Sequence, residues 1–527
     1  MTPEAPGRAS HWDALIIGGG SAGCVVARRL CDNPSRRVLL LEAGPRLPAD
    51  QARAAVRNGN QPAVMPGLNW KYRTAIKGEA RPGASGGSVF DYEAGRLLGG
   101  SSAVNATQAL RGTPQDHAEW AEACGEAWGW DAVLPVFRAL EDDPLGPSEL
   151  HGRGGPMPIR REAIDVLAPL HGSLVQACLD AGFAPTDDHN DPSGTGVGVI
   201  PRNVVDGVRV SAADAYLAPV ASGSNLDIHC GVHVHRLLWD RTGRCTGVLA
   251  DVDGELRTYH ADKVILCAGV MSTPAILMRS GVGEPTALRD LRIPVEVPLH
   301  GVGGHLMEHP VIGIWGAPRP GTCVRGEPLR QSLLRFTSGL SGHANDMHLC
   351  MMSGIDARAM FPHLASADEA AVVAGLTVCF NKPLSSGQVR LASADPRTPP
   401  IVSNNLLGHA EDAAPLRDAV KLGWDLLQRP LLRDKFSRLL AWTDAMVRSP
   451  AALEQAVRSF VRPSAHGCGT ARMGRSADAG AVVDPTGRLH GAQNVWVADA
   501  SVFPSIPSAP PHLTCLMTAE KIAHGLA

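Results

Sequence analysis

Apolar runs and glycines alternate in a regular order near the start of the chain. Residues 13–17 form a short apolar run that predicts a strand, and a glycine-rich turn at 18–23 follows it directly. Residues 24–30 then predict a helix, and 38–42 predict a second buried strand that ends in an acid. A strand, a helix and a strand in this order indicate a βαβ unit with a parallel sheet.

Further along the chain, strand-like and helix-like runs occur in separate blocks. The predicted strands cover residues 225–230, 233–239, 246–252, 263–267, 346–352, 371–381, 388–392 and 494–499. The predicted helices cover residues 411–427, 451–460 and 513–523. The four strands between residues 225 and 267 indicate a β-rich insertion after which the chain returns to the first sheet. The strand at 494–499 and the helix at 513–523 indicate that the chain returns to this sheet a second time.

A long segment from Pro45 to Gly95 interrupts the first block. It is rich in glycine and proline, shows little periodicity and contains an aromatic cluster at residues 70–72. We therefore predict a long loop, and loops of this length are usually functional or covered.

Composition excludes several classes of partner. Of the 527 residues, 44% are hydrophobic and 19% are charged, and the net charge is −3, so no electrostatic feature favours nucleic acid or an anionic membrane. No apolar run approaches the length of a membrane span, and the N-terminus lacks the pattern of a secretory signal. The 12 cysteines are scattered, without paired motifs. We expect a protein without a membrane span, located in the reducing cytoplasm.

The turn after the first strand has the spacing of a dinucleotide-binding fingerprint. Gly18, Gly20 and Gly23 allow a tight turn, a close approach to a pyrophosphate and a helix N-terminus directed at its charge. Glu42 follows roughly 20 residues later at a strand end, where a carboxylate accepts hydrogen bonds from a ribose hydroxyl. The motif predicts a bound dinucleotide and does not separate NAD from FAD.

Four motifs resemble one family, the glucose-methanol-choline (GMC) oxidoreductases. The first family signature matches from Gly95 to Ala118, and the second matches residues 269–283, with Val270 where a smaller residue is usual. Residues 466–474 and 499–501 also resemble the family. The likeness spans essentially the whole chain and is greatest to the choline dehydrogenase and the aryl-alcohol or hydroxymethylfurfural oxidase branches.

The resemblance implies FAD rather than NAD as the cofactor, because the first signature cradles FAD in the family. It implies that the cofactor is bound by Gly18, Gly20, Ser21, Ala22, Gly23, Glu42, Ala43, Trp70, Arg96, Leu98, Gly99, Ser102, Asn105, Ala106, Thr107, Val234, Ala268, Asp499, Ala500 and Thr514. Some members attach FAD through a histidine just before the asparagine of the first signature. Val104 occupies that position here, so we expect noncovalent FAD.

These observations together predict an α/β (α+β two-domain) fold. Residues 1–160, 195–310 and 461–527 are expected to form a discontinuous, Rossmann-like FAD-binding domain with a β-rich insertion. Residues 161–194 and 311–460 carry no cofactor motif, and we assign them to a substrate-binding domain of antiparallel sheet flanked by helices. Two domains are also what a chain of this length favours.

Two histidines near the C-terminus are the candidate catalytic residues. By resemblance, His466 lies beside the flavin N5 and takes the hydroxyl proton of an alcohol while a hydride passes to the flavin, and His512 orients the substrate oxygen. A histidine suits the first role because its ordinary pKa lies near working pH. The expected activity is the oxidation of a primary or secondary alcohol to an aldehyde or ketone. A flavin-bearing lyase without net redox chemistry, like the hydroxynitrile lyases, is the alternative.

The segment from His305 to His309 fits an inverted zincin pattern, H-x-x-E-H. Glycines and Pro310 bracket it so closely that a metal-bearing helix is disfavoured, and we expect no metal. His305 and Glu308 replace an asparagine and an aspartate that the family usually has. The sequence leaves open the alcohol, the oligomeric state and the electron acceptor, which is oxygen or another carrier.

Overall fold

The computed structural model describes residues 11–45, 47, 51–62, 67–78, 89–220, 225–357 and 372–526. We number its helices, and its strands of three or more residues, in chain order. The strands are β1 (His11–Ile17), β2 (Val38–Glu42), β3 (Asn69–Ala75), β4 (Val89–Gly95), β5 (Gly196–Val199), β6 (Leu226–Cys230), β7 (Val232–Trp239), β8 (Cys245–Val252), β9 (Glu255–Leu266), β10 (Pro310–Pro318), β11 (Ser332–Phe336), β12 (Met347–Asp356), β13 (Val372–Phe380), β14 (Gln388–Arg390), β15 (Ile401–Ser403), β16 (Phe436–Leu439) and β17 (Val495–Val497). The helices are α1 (Ser21–Cys31), α2 (Gln51–Arg57), α3 (Pro114–Cys124), α4 (Trp130–Leu140), α5 (Pro169–Asp180), α6 (Gly269–Arg279), α7 (Pro285–Asp290), α8 (Ala413–Leu427), α9 (Pro430–Arg433), α10 (Asp444–Arg448), α11 (Pro450–Phe460) and α12 (His512–Leu526).

The first sheet contains the predicted βαβ unit. Its strands run in the order β6, β2, β1, β9, β8 and β7, and β17 also pairs with β9. The pairs around β1 and β2 are parallel, and every residue of β2 is buried, as expected for a strand covered on both faces. Strands β7 and β8 pair antiparallel and form the predicted β-rich insertion.

Strand β9 is much longer than the predicted strand 263–267. Its first half pairs antiparallel with β8, and its second half pairs parallel with β1 and β17. The first half is largely exposed, with Leu256 63% accessible. Because those positions show no alternation of apolar and polar residues, the pattern revealed only the buried half.

The second sheet is antiparallel and follows the order β16, β10, β13, β12, β11 and β5. Helices α5, α8 and α11 pack against it around a second hydrophobic core that includes Leu349, Leu376 and Trp424. The predicted fold class is therefore confirmed: a mixed α/β chain with a parallel nucleotide-binding type of sheet and an antiparallel sheet flanked by helices.

The expected long loop between Pro45 and Gly95 is wrong in part. Residues 51–57 form α2, and β3 and β4 form a hairpin that joins β15 and β14 in a further sheet. Charged residues such as Lys71 and Arg73 occupy the exposed positions of β3, so the run lacked an apolar stretch. The glycine-rich residues 79–88 lie outside the described part of the chain.

The domain boundaries remain a proposal, which two separate hydrophobic cores support. One core contains residues from both ends and from the middle of the chain. The other core contains mainly residues from Ile312 onward. Strand β5 had been assigned to the first domain, but it pairs with β11 of the second sheet, so we now propose that residues 196–199 belong to the second unit. None of the described helices is long and apolar enough to cross a bilayer.

Candidate active site

A deep cavity of about 490 Å³ lies at the carboxyl ends of the parallel strands. Ile17 ends β1, Glu42 ends β2, and Cys267 and Ala268 follow β9, so three strand ends form one wall. Met352 of β12 contributes to the other wall from the second sheet. Open α/β sheets bind ligands beyond the carboxyl ends of their strands, and this cavity occupies that position.

Most of the residues predicted from the sequence line this cavity. These are Gly18, Gly20, Ser21, Ala22, Glu42, Ala43, Trp70, Ser102, Asn105, Ala106, Val234, Ala268, His466, Asp499, Ala500 and His512. Six predicted residues are not among its lining residues: Gly23, Arg96, Leu98, Gly99, Thr107 and Thr514. We call these six the frame residues, because they hold the residues that line the cavity.

The glycine turn is shaped by three of those frame residues. A Cβ atom on Gly23 would overlap the carbonyl oxygen of Gly18, so only a glycine lets α1 pack this closely on β1. The Gly99 N–H donates to the carbonyl of Gly19 at 2.8 Å, and the Leu98 side chain lies against the same residue. Together these contacts fix the turn against the first family signature.

The other three frame residues hold neighbouring groups. The Arg96 guanidinium lies 4.9 Å from the centre of the Trp70 ring, a cation–π contact. The Thr107 N–H donates to Asn105 Oδ1 at 2.9 Å. Thr514 is buried, and its hydroxyl has no hydrogen-bond partner among the described residues. A buried polar atom without a partner near a cavity is a candidate ligand-binding group.

Helix α1 begins at the cavity with its first amides available. Gly18 has a φ of +97°, which turns the chain sharply before the helix. Gly20 offers no capping side chain, and the first turn contains no acid. Since Ser21 and Ala22 line the cavity, the partial positive charge of the helix N-terminus is directed at whatever anion binds there.

Glu42 is held rigidly at the end of β2. Its carboxylate accepts hydrogen bonds from the Gly19 N–H at 2.8 Å and the Gly44 N–H at 2.7 Å. Burial raises the pKa of Glu42 to about 7, and these amide donors oppose that rise. The carboxylate is therefore fixed at the edge of the cavity, where it can accept a further hydrogen bond from a ligand hydroxyl.

Asp499 joins two helical turns behind the cavity. One carboxylate oxygen accepts from the Gly269 N–H at 2.7 Å and from the Thr273 hydroxyl at 2.6 Å. The other accepts from the N–H and hydroxyl of Ser501. Because both oxygens already bind protein donors, Asp499 orders the start of α6 as well as lining the cavity.

His466 is paired through its ring with His309. His309 Nε2 lies 3.0 Å from the carbonyl oxygen of Pro507, which can only accept, so this nitrogen carries the proton. Burial lowers the pKa of His309 to about 4, so the ring is neutral and its Nδ1 is an acceptor. His466 Nδ1 lies 3.0 Å from that atom and must donate to it. His466 Nε2 is left unprotonated, as a general base requires.

The loop that carries His466 rests on a buried acid. Glu308 accepts hydrogen bonds from the backbone N–H groups of Ser464 and His466. The Tyr92 hydroxyl donates to Glu308 at 3.0 Å and accepts from the Gly467 N–H. Burial raises the pKa of Glu308 to about 7 against the opposing effect of these donors. The backbone N–H groups of Ser464, His466 and Gly467 are thereby held in place, and with them the loop around His466.

The side chains of the inverted zincin pattern are committed to different partners. His309 bridges His466 and Pro507, and Glu308 binds the loop amides. His305 has a φ of +56°, which is incompatible with a helix at this point. The pattern therefore supports the candidate base instead of forming a ligand cluster.

His512 lies at the first turn of α12 and lines the cavity. Its Nε2 is buried and has no partner among the described residues. Burial, helped by the positive charge of Arg209, lowers the pKa of His512 to about 4, so the ring is neutral near pH 7. A neutral imidazole carries one N–H donor and one acceptor for a bound ligand.

Four residues with a part in this geometry were missed or read differently from the sequence: Tyr92, Glu308, His309 and Arg330. Glu308 and His309 were considered as metal ligands, and Glu308 also as the replacement of a family aspartate, but neither was connected with His466. Tyr92 and Arg330 lie outside the recognised motifs. No local sequence signal pointed to either residue, because tertiary contacts alone bring them to the cavity.

Comparisons with known proteins identify the family of this chain. The GMC oxidoreductase family profiles match residues 12–311 and 383–519. The chain is 35% identical to 5-(hydroxymethyl)furfural oxidase of Methylovorus sp. (strain MP688), over 98% of both chains. It is 33% identical to mitochondrial choline dehydrogenase of Mus musculus, over 97% of this chain and 88% of that protein. The crystal structure of pyridoxine 4-oxidase from Mesorbium loti superposes with a TM-score of 0.85, at 30% identity, and covers 98% of this chain and 99% of its own. The chain thus belongs to the GMC oxidoreductase family.

Proposed function

We propose that this protein is an FAD-dependent oxidoreductase that converts a primary or secondary alcohol to an aldehyde or ketone, with His466 as general base. The relatives support the reaction type, since 5-(hydroxymethyl)furfural and choline both carry a hydroxyl on a CH₂ carbon. The observation that carries the proposal is the His309–His466 contact, which leaves a basic nitrogen on the cavity residue His466.

The residues around the cavity fit FAD. The open N-terminus of α1 suits a pyrophosphate, and the fixed carboxylate of Glu42 suits a ribose hydroxyl. A Cβ atom on Gly100 would lie 2.6 Å from Gly20 Cα, so both glycine segments lie close together and leave their backbone to the ligand. His512 lines the cavity, and its unpartnered Nε2 is a polar atom that a bound ligand can satisfy.

The role that we propose for each histidine follows from its protonation state. Bound FAD supplies the acceptor for the hydride that leaves the alcohol carbon. His466 Nε2 takes the hydroxyl proton, and His309 keeps the opposite ring nitrogen hydrogen-bonded before and after that transfer. Neutral His512 hydrogen-bonds the substrate oxygen and orients it.

We further propose that FAD is bound noncovalently. Val104 lines the cavity at the position where a histidine would attach the cofactor, and its side chain has no nucleophile. Acid or heat denaturation followed by filtration should leave all yellow colour in the filtrate. Colour retained on the polypeptide would contradict this part of the proposal.

Anaerobic mixing of the holoenzyme with a panel of alcohols tests the reaction. The flavin absorbance should bleach with at least one alcohol, and the bleached enzyme should regain its colour with either oxygen or an artificial carrier, which identifies the acceptor class. His466→Ala should keep its FAD and bleach about 10²- to 10⁴-fold more slowly. His300→Ala, at a side chain 67% exposed, is the matched control and should behave as wild type.

Two results would overturn the assignment. Bleaching of His466→Ala at the wild-type rate removes His466 as the base. A flavin that stays oxidised with every alcohol while aldehyde and cyanide are released from a cyanohydrin favours the lyase alternative.

A further inference from the structure

Arg330 lines the cavity together with the glycine turn and the candidate base. It lies just before β11, next to Leu329, and both residues line the cavity together with Met352. These residues come from the second sheet and its connections, the part of the chain that carries no cofactor motif. Arg330 and His466 line the same cavity, and the positive charge of Arg330 contributes to the lowered pKa of His466.

Little of the hydrogen-bonding capacity of Arg330 is used by the protein. Nη1 donates to Gln108 Oε1 at 2.8 Å. Nη2 lies 3.6 Å from the Met352 sulfur, which is a weak acceptor. Nε has no partner among the described residues. An arginine carries five N–H donors in a fixed fork, so several remain for a ligand.

The charge of Arg330 is also unpaired. Among the described residues, no carboxylate lies within ion-pair distance of its guanidinium, whereas nearby Arg202 is paired with Glu162. A partly buried guanidinium without a counter-ion can form an ion pair with an anion that binds beside it in the cavity.

The acids that line the cavity have other roles. Glu42 binds the amides of Gly19 and Gly44, and Asp499 binds donors of α6 and the turn after it. Glu93, the third, lies opposite Lys71 in the β3–β4 hairpin, and its buried Oε2 has no hydrogen-bond partner among the described residues. Glu308 lies beneath the loop and binds its amides. None of these contacts neutralises Arg330.

We propose that Arg330 binds a carboxylate on the substrate, so that the preferred substrates are alcohols that also carry a carboxylate group away from the reacting carbon. A carboxylate matches the fork of a guanidinium and supplies the missing negative charge. The same charge repels a cationic alcohol, so quaternary ammonium alcohols are poor substrates. This inference rests on the proposed alcohol oxidation.

A matched pair of substrates tests the preference. 4-(Hydroxymethyl)benzoate and 4-(hydroxymethyl)benzamide have nearly the same shape and differ in charge. In wild type, kcat/KM should favour the benzoate by about 10- to 100-fold, mainly through a lower KM, as expected for a charged hydrogen-bonded pair. Equal kcat/KM values for the two compounds would overturn the proposal and leave the alcohol oxidation intact.

Substitutions at Arg330 separate anchoring from other roles. Arg330→Gln should abolish the preference for the benzoate, and Arg330→Lys should restore part of it because the charge returns without the fork. Arg241→Gln, at an exposed arginine in the turn between β7 and β8, is the control and should keep the wild-type ratio. An Arg330→Gln variant that slows both compounds equally, with the ratio unchanged, assigns Arg330 to the chemical step and contradicts anchoring.

A binding measurement keeps the test independent of turnover. Benzoate and benzamide are titrated into the oxidised holoenzyme, and the shift in flavin absorbance gives each Kd. Benzoate should bind wild type about 10- to 100-fold more tightly than benzamide, and Arg330→Gln should lose that difference. Equal affinities in wild type contradict the anchor even if no alcohol in the panel is oxidised.

Discussion

At the scale of single residues, the ring of His309 decides which nitrogen of His466 carries a proton. His309 itself is fixed by the Pro507 carbonyl, so the two rings and that oxygen form one directed chain. His466 is partly buried and lines the cavity, and desolvation, followed by the effects of His309 and Arg330, holds its pKa well below the usual range. His466 is therefore a neutral base over the whole physiological range.

Replacement of His309 tests this chain of hydrogen bonds. His309→Ala removes the acceptor that fixes the His466 tautomer, so kcat should fall by at least about tenfold while KM for the alcohol changes little. His309→Gln retains an oxygen acceptor and should recover part of kcat. Steady-state kinetics of holoenzymes with equal FAD content make the comparison. A loss confined to KM, or no rescue by glutamine, would contradict the orienting role.

The acid limb of the pH profile reports the protonation of His466. Since the neutral form is the base and its pKa is lowered, kcat/KM should be flat above pH 6.5 and fall only below it. Arg330→Gln removes a positive charge that acts on His466, so the limb should move to higher pH. Profiles of both enzymes with a neutral alcohol measure the shift. An acid limb above pH 7 in wild type would disagree with a buried neutral base.

At the scale of elements, the contact between β1 and α1 depends on one glycine. Gly23→Ala would force the start of α1 away from Gly18, so we expect loss of FAD and a lower melting temperature. Gly172→Ala in α5 is the matched control, because a Cβ atom there meets nothing within 4 Å. That change should leave FAD content unaltered and raise stability by about 0.5–1 kcal/mol. Thermal melts and flavin absorbance give both readouts, and full FAD occupancy in Gly23→Ala would refute the close-packing argument.

A second element-scale feature is a buried cluster of charges beyond α4. Among the described residues, Glu141, Asp143 and His151 are the one group whose potential metal-ligand atoms all lie within 4.8 Å of one another. Burial disfavours a charged His151, but hydrogen bonds to Asp143, Asp188 and Glu141 outweigh it and raise its pKa to about 10. Arg161 pairs with Asp143 and Asp188 as well. Arg111 also pairs with Glu141, so the cluster is an ion-pair network in which the acids have cationic partners.

This network gives the protein a defined pH range of stability. His151 contributes stability that is complete below its ordinary pKa of 6.5 and is lost as the pH rises through about 10. His151→Asn should therefore destabilise by about 3 kcal/mol between pH 4 and 6.5, and by progressively less toward pH 10. Denaturant melts at several pH values measure the difference, with His300→Asn as control. A difference that does not shrink at alkaline pH would exclude a charged His151.

The sequence predicted the elements whose pattern is local. Strands β1 and β2 and the turn between them followed from apolar runs and three spaced glycines, and the buried half of β9 was found in the same way. The hairpin of β3 and β4 was missed because its buried positions are interspersed with exposed charged residues, so the sequence shows no apolar run there. At the site, His466 and His512 belong to motifs, whereas Arg330 and Tyr92 reach the cavity only through long-range folding, which no local pattern encodes.

At the scale of the whole molecule, the cavity is lined by residues from both sheets and their connections. Strand ends of the first sheet form one part of the lining, and Met352 of β12 and Arg330 just before β11 form another. A ligand in this cavity contacts both parts of the chain, so binding and folding are thermodynamically linked. The motifs revealed the first wall because nucleotide binding imposes fixed spacings, and the second wall remained hidden because substrate contacts impose none.

Removal of the cofactor tests this linkage. Since FAD is proposed to bind the folded cavity and not the unfolded chain, stripping it should lower the free energy of unfolding by about 3–4 kcal/mol at 100- to 1,000-fold excess over Kd. The melting temperature should therefore drop by several degrees and rise again with each increment of added FAD. Scanning calorimetry of apo, holo and reconstituted protein makes the measurement, and adenosine diphosphate, which is only the adenosine and pyrophosphate part of FAD, serves as a control. A melting temperature that is independent of FAD concentration would mean that FAD does not bind the folded chain in preference to the unfolded chain, because any ligand with that preference must stabilise the folded state.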